Sequence, residues 1–148
     1  MTEAHWVVRQ KIDIPFQYTP GAAITRFLEA LRDQKILAAG VQGEERKTVP
    51  PLSFCGRTWK EAREWVELQG TGVLESFAIV PHSMAELPEA GSRIVFGLVR
   101  LDGAETRLVH LVHVQKESDL KVGARVRVVW SKERTAGIHG IAGFEIVP

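Results

Sequence analysis

The chain has one cysteine, Cys55, in 148 residues. A single cysteine excludes an internal disulfide, which agrees with a reducing compartment. No apolar run approaches the roughly 20 residues that span a bilayer. The opening segment, MTEAHWVVRQ, has no basic stretch followed by an apolar one. The expectation is a cytoplasmic protein without membrane contact. Neither sign of charge is in excess: 19 Lys and Arg stand against 18 Asp and Glu, for a net charge of +1. Nucleic-acid binding draws most of its affinity from a concentrated basic face that neutralises phosphates, so this balance argues against it. A phosphate-binding glycine loop is missing as well. TAGIHGIAGF carries Gly137, Gly140 and Gly143, but it has neither the strand-to-helix context nor a Gly-Lys-Ser/Thr ending, and it reads as a flexible loop.

Enough apolar material is present for a real core: 45% of the residues are apolar and 25% charged, the balance of a globular domain. In YTPGAAITRFLEALRDQK, residues Ile24, Phe27, Leu28 and Leu31 recur at i, i+3, i+4 and i+7, which predicts an amphipathic helix. Thr19 is the expected cap and Pro20 the expected first helical residue. Upstream, WVVRQKIDIPFQY reads as an extended arm carrying Phe16 and Tyr18, which needs something to lie against.

Beyond Trp65 the periodicity turns from helical to alternating. Five strands are expected, at 72–80, 93–101, 106–114, 124–131 and 142–147, with a short helical turn in QKESDL. In the fourth, Val126, Val128 and Trp130 face one way and Arg125 and Arg127 the other. Asp102-Gly103 and Lys121-Val122-Gly123 supply turns. The order suggests a five-stranded Greek-key barrel of the oligonucleotide/oligosaccharide-binding (OB) type, with sandwiches of similar strand count left open. His110 and His113 are three apart on one of these strands and therefore point to opposite faces, so they cannot share an ion without a bulge. The loop PHSMAELPEAGSR, with His82, Met84 and Arg93, is long for a hairpin, a feature that often accompanies binding.

KTVPPLSFCGRTWKEAREW has the shape of half a metal knuckle: a Pro-Pro entry, a cysteine, a glycine, and then Thr58 where a second thiolate would stand. Together with YTPGAAITRFLEALRDQKILA, EWVELQGTGVLESFAIV, IVFGLVRLDG and LKVGARVRVVW, it resembles, over residues 12–148, the zinc-ribbon plus OB-fold family of acyl-CoA-associated proteins long labelled domain of unknown function thirty-five. The resemblance implies a mainly β fold with an N-terminal helix. Residues 1–40 would form the arm and helix, 41–65 a degenerate rubredoxin-like ribbon, and 66–148 a five-stranded OB barrel. The family's two knuckles would fall on Val41 and Glu44 and on Cys55 and Thr58. Valine and threonine supply neither thiolate nor imidazole, so Cys55 is read as a relic ligand and zinc is not expected. Thr58-x-x-Glu61 matches a capping box, and Trp59, Ala62 and Trp65 share a helical stripe. A short capped helix packed by two tryptophans is therefore expected to replace the second knuckle.

Members of that family act as accessory subunits of thiolase-like, synthase or hydratase enzymes. The resemblance thus implies a non-catalytic docking subunit whose partner works on acyl-CoA, with no cofactor of its own beyond coenzyme A or acyl-CoA as ligand. Trp6, Phe16, Tyr18 and Phe27 are the candidate partner interface. Arg93, Arg100 and Phe77 are the candidate acyl-CoA contacts, and self-association is left open. A different class stays in view: a stand-alone OB module for single-stranded nucleic acid. Such a module would want exposed aromatics interleaved with basic residues, yet strands two and three offer Phe96, Arg100 and Arg107 and little else, so the accessory role is favoured.

Overall fold

The computed structural model describes residue 11 and residues 13–80 and 94–147. Helix α1 spans Gly21–Arg32 and buries Phe27 and Leu31, with Ile24 and Leu28 half-buried on the same stripe. The helix begins one residue later than the sequence predicts. Pro20 occupies the N-cap, no side chain caps the helix, and Thr19 is exposed. Gly21 adopts a φ of 79°, so the chain turns into the helix on the freedom of a glycine.

The helix is followed by β1 (Ile36–Gly40), β2 (Lys47–Thr48) and β3 (Glu64–Leu68), which form an antiparallel sheet in the order β2-β1-β3. The sequence did not announce these strands, because ILAAG lacks alternation and β2 is two residues long. The sheet also crosses the boundary drawn at residue 40, and its last strand ends at Leu68.

The five remaining strands are β4 (Thr71–Val80), β5 (Ile94–Leu101), β6 (Leu108–His113), β7 (Arg125–Trp130) and β8 (Ile141–Ile146). They match the five strands expected from the alternation. They close into a barrel in the order β4-β5-β6-β8-β7, with β6 and β8 parallel and the other pairs antiparallel. This is the OB arrangement. Leu74, Val95, Val99, Leu101, Leu108, Val112, Val126 and Phe144 fill its interior. QKESDL contributes the short 3-10 turn Glu117–Asp119 between β6 and β7.

α1 does not float on this body. Phe27 and Leu31 belong to the same apolar cluster as Ile36, Leu101 and Ile141. The helix also rests on the 3-10 turn Ile138–Gly140, where a Cβ on Gly140 would stand 3.2 Å from the Leu31 carbonyl oxygen. The segment expected to be a flexible loop is thus the seat of the helix. Of its three glycines, Gly143 lies inside β8, where a Cβ would meet the His113 ring.

Candidate functional site

The segment between β2 and β3 carries the chemistry that the sequence singles out, in a conformation the sequence did not suggest. No helix forms there. Cys55-Gly56-Arg57-Thr58 makes a tight turn closed by the Trp59 N–H on the Cys55 carbonyl at 2.8 Å and the Cys55 N–H on the Lys60 carbonyl at 2.8 Å. Phe54 and Glu61 bridge as antiparallel partners, and the Ala62 N–H reaches the Ser53 carbonyl at 2.9 Å. This is a knuckle hairpin built from backbone hydrogen bonds, so Thr58 and Glu61 cap nothing. Trp59 packs no core: it is 75% exposed and sits at φ 59°, in the left-handed region. Its ring stacks on Phe54, with centroids 5.6 Å apart and planes 14° from parallel. Trp65, on β3, instead lies beneath Arg26 of α1, whose guanidinium is 4.4 Å from the ring centroid. The expected two-tryptophan packing is therefore overturned: one indole is outside, and the other is covered by a cation.

The opposite knuckle, Val41-Gln42-Gly43-Glu44, closes with the Glu44 N–H on the Val41 carbonyl at 3.0 Å and Gly43 at φ 78°. Val41, Glu44 and Cys55 line one small space of about 20 Å³ together with Thr48 and Ala62. The fold thus brings together three of the four positions that the sequence resemblance aligns with knuckle ligands. The donors there do not make a zinc site: Val41 contributes a buried aliphatic side chain, Thr58 a hydroxyl, and Glu44 forms an ion pair with Lys60 at 3.5 Å. The Thr58 hydroxyl, and then the backbone N–H groups of Arg57 and Thr58, hold the Cys55 thiol below its ordinary pKa, while burial and Glu44 oppose them.

Between this ribbon and the barrel lies an open cleft of about 920 Å³. Three hydrogen bonds join the two sides. The Val49 N–H reaches Thr106 Oγ1 at 2.7 Å, the Thr106 hydroxyl returns to the Val49 carbonyl at 2.8 Å, and the Glu105 N–H reaches the Lys47 carbonyl at 2.9 Å. Arg46 pairs with Glu105 at 2.8 Å. On the barrel side, a bulge between Leu74 and Ser76 turns Glu75 toward two guanidiniums, Arg100 at 2.5 Å and Arg107 at 2.6 Å. Arg107 first, and then Arg100, lower the Glu75 pKa. On the ribbon side, Arg57 lines the cleft without a carboxylate partner among the described residues. Three acids line the cleft: Glu44 and Glu105 are ion-paired, with Lys60 and Arg46, and Glu45, on the same rim as Arg57, is exposed with no ion pair among the described residues.

The expected site residues scatter. Arg100 lines the cleft. Phe77 packs against the core, on the opposite face of the barrel wall: it pairs with Gly97, three residues from Arg100, so the two do not meet. Arg93 and Trp6 lie outside the described residues, as do His82 and Met84. Phe16 and Tyr18 are 81% and 74% exposed, with Ile14 beside them. Phe27 is only 1% exposed. It was expected at a partner surface, but helical spacing turns it onto the barrel with Leu31. His110 and His113 do face opposite ways. His110 lies edge-on to Phe144 at 6.1 Å, and burial lowers its pKa, while His113 is exposed. Sequence reasoning missed Arg46, Lys47 and Arg57. A turn tip following a knuckle cysteine is the signal that could have pointed to Arg57.

Residues 65–131 match the family described as the ChsH2 C-terminal OB-fold domain. A solved structure titled Ltp2-ChsH2(DUF35) aldolase is similar over 88% of this chain and 98% of its own, with 20% identity and a TM-score of 0.66. A second, a DUF35 protein of unknown function from Sulfolobus solfataricus, is similar over 82% and 83% at 18% identity, with a TM-score of 0.62. No protein of curated function matches the chain.

Proposed function

We propose that this chain is a DUF35-type OB-fold protein and, on that premise, a non-catalytic accessory subunit docking onto a thiolase-like or related acyl-CoA enzyme. The observation that carries this reading is the arm before α1. Ile14, Phe16 and Tyr18 stand at every second position of the segment before α1, each more than 70% exposed. Three large exposed apolar side chains so close together in the chain form a surface that isolated proteins rarely present without a partner. α1 anchors the base of the arm through Phe27 and Leu31, so the arm leaves a rigid body. The neighbouring fold titled as part of an Ltp2-ChsH2 aldolase supports a role beside an enzyme.

The same reading places coenzyme A or its acyl ester in the cleft between ribbon and barrel, with Arg100 on one wall. The volume is within the range of small-molecule sites, and such sites favour junctions between structural units.

Co-purification from the native host tests the docking. The wild-type chain should recover a thiolase-like enzyme. A chain with Ile14, Phe16 and Tyr18 each changed to Ser should melt at the same temperature and recover none. Calorimetry should show coenzyme A binding weakly to the isolated chain and more tightly to the complex. Tight, salt-sensitive binding of a poly-pyrimidine oligonucleotide with no response to coenzyme A would replace this reading with the nucleic-acid module.

A further inference from the structure

Trp59 is in the wrong place for a structural residue. Its backbone is held at φ 59° by the knuckle hydrogen bonds, a region where glycine sits without strain and a Cβ crowds the carbonyl. Its indole is 75% exposed, and its one aromatic neighbour among the described residues, Phe54, is itself 47% exposed. The fold therefore tolerates a strained tryptophan that shields no core. Phe54 covers one face of the indole and holds the ring in a fixed plane. Directly before it in the chain, Thr58 and Arg57 line the cleft, and Arg57 has no carboxylate partner among the described residues. Across the cleft, Arg100 and Arg107 share the single carboxylate of Glu75, which leaves one positive charge in excess on that wall. A flat, exposed aromatic surface two residues along the same turn from an unneutralised guanidinium suits one chemical class above others: a planar heteroaromatic base joined to phosphates. Bases stack on aromatic side chains through their π-faces, and guanidiniums take phosphate oxygens in bidentate pairs.

We propose that the Cys55–Thr58 knuckle is a stacking platform for the nucleotide end of a ligand, with the base on the free face of Trp59 and phosphate on Arg57. This rests on the coenzyme A reading and deepens it. It assigns the nucleotide head to the ribbon and leaves the pantetheine arm to run along the cleft toward the barrel. Glu45 on the same rim would repel phosphate and confines it to the Arg57 side.

The test uses the full-length chain with its indole nitrogens labelled with nitrogen-15, titrated with adenosine 3′,5′-bisphosphate, coenzyme A and pantetheine. The two nucleotide-bearing compounds should move the Trp59 indole N–H resonance, and pantetheine should not. Trp59→Gly should bind adenosine 3′,5′-bisphosphate at least about tenfold more weakly, the size of effect that losing one stacked base produces. Its melting temperature should not fall, since glycine suits the backbone there. Arg57→Ala should weaken the bisphosphate and leave adenosine unchanged. If coenzyme A binds Trp59→Gly as it binds the wild type, with the Trp59 resonance unmoved, the platform is overturned and the coenzyme A reading stands. If neither coenzyme A nor pantetheine binds in any form, both fall. If a poly-pyrimidine oligonucleotide moves the Trp59 resonance and coenzyme A does not, the platform serves single strands and this assignment is overturned.

Discussion

Removing Glu64 tests how the ribbon is held together. Gly40 of β1 pairs with Lys47 on one side and Glu64 on the other. With no side chain at Gly40, the Lys47 stem lies across the strand. A Cβ there would stand 2.6 Å from Lys47 Cδ and 2.5 Å from the Arg46 carbonyl. Lys47 thus carries its ammonium over β1 to Glu64 Oε1 at 3.2 Å and donates to the Glu44 carbonyl at 2.5 Å. One cation joins both outer strands and the first knuckle. The two ends are unequal: the Lys47 side chain is 9% exposed and that of Glu64 37%. Glu64→Ala strands a buried ammonium on a single carbonyl, and losing the partner of a buried charge costs about 3 to 5 kcal/mol when both ends are dry. Discounted for the wet carboxylate, the expected loss is about 1 to 3 kcal/mol. Lys47→Met keeps the stem, leaves Glu64 free to hydrate, and should cost under about 1 kcal/mol. The double variant should be more stable than Glu64→Ala alone, so the two changes are strongly non-additive. Urea denaturation of the four proteins measures this directly. A Glu64→Ala midpoint equal to wild type, or Lys47→Met costing more than Glu64→Ala, would refute the assignment of Lys47 as the cross-strand tie.

Phe27→Ala should lower stability by about 3 to 5 kcal/mol, as truncations of fully buried aromatics do, and thermal denaturation will show it. Asp102 accepts hydrogen bonds from Arg125 and, secondarily, from Thr71, which lower its pKa from 3.8 to about 2. Its folded pKa lies below its unfolded one, so the stabilisation is present above pH 3.8 and is lost as pH falls toward 2. Asp102→Asn should flatten that acid limb, and denaturation between pH 5 and about 2 is the check. The protein purified without added metal should hold no stoichiometric zinc and keep its melting temperature in chelator. Elemental analysis finding one zinc per chain, with unfolding on chelation, would contradict the reading of Val41, Glu44 and Thr58 as non-ligands.

The barrel was legible because its strands alternate: Arg125, Val126 and Arg127 declare outside, inside and outside without tertiary help. The helix was legible for the same reason, but which partner its apolar face would meet was not. Phe27 has the same chemistry whether it meets this chain's barrel or another protein. The ribbon was misread because WKEAREW satisfies helical spacing locally. Backbone hydrogen bonds of the knuckle hairpin overrode that propensity and put Trp59 at a φ that helix formation forbids. The cleft was invisible for a different reason. Arg46, Arg57 and Arg107 are far apart in sequence and become neighbours only when the hairpin folds over the turn after β5.

The junction between ribbon and barrel is only Gln69-Gly70 long. Gly70, at φ 75°, gives its carbonyl to the Val128 N–H at 2.8 Å, and a Cβ on it would stand 2.5 Å from a Val128 methyl. Together with the bonds from Val49 and Lys47 to the turn before β6, this leaves the two sheets no hinge. The hydrogen bonds that tie the ribbon to the barrel give the short ribbon no separate body of its own, so ribbon and barrel should melt as one cooperative unit. The width of the cleft is then set at a joint that touches no ligand, so a change at Gly70 would alter binding from the far side of the molecule.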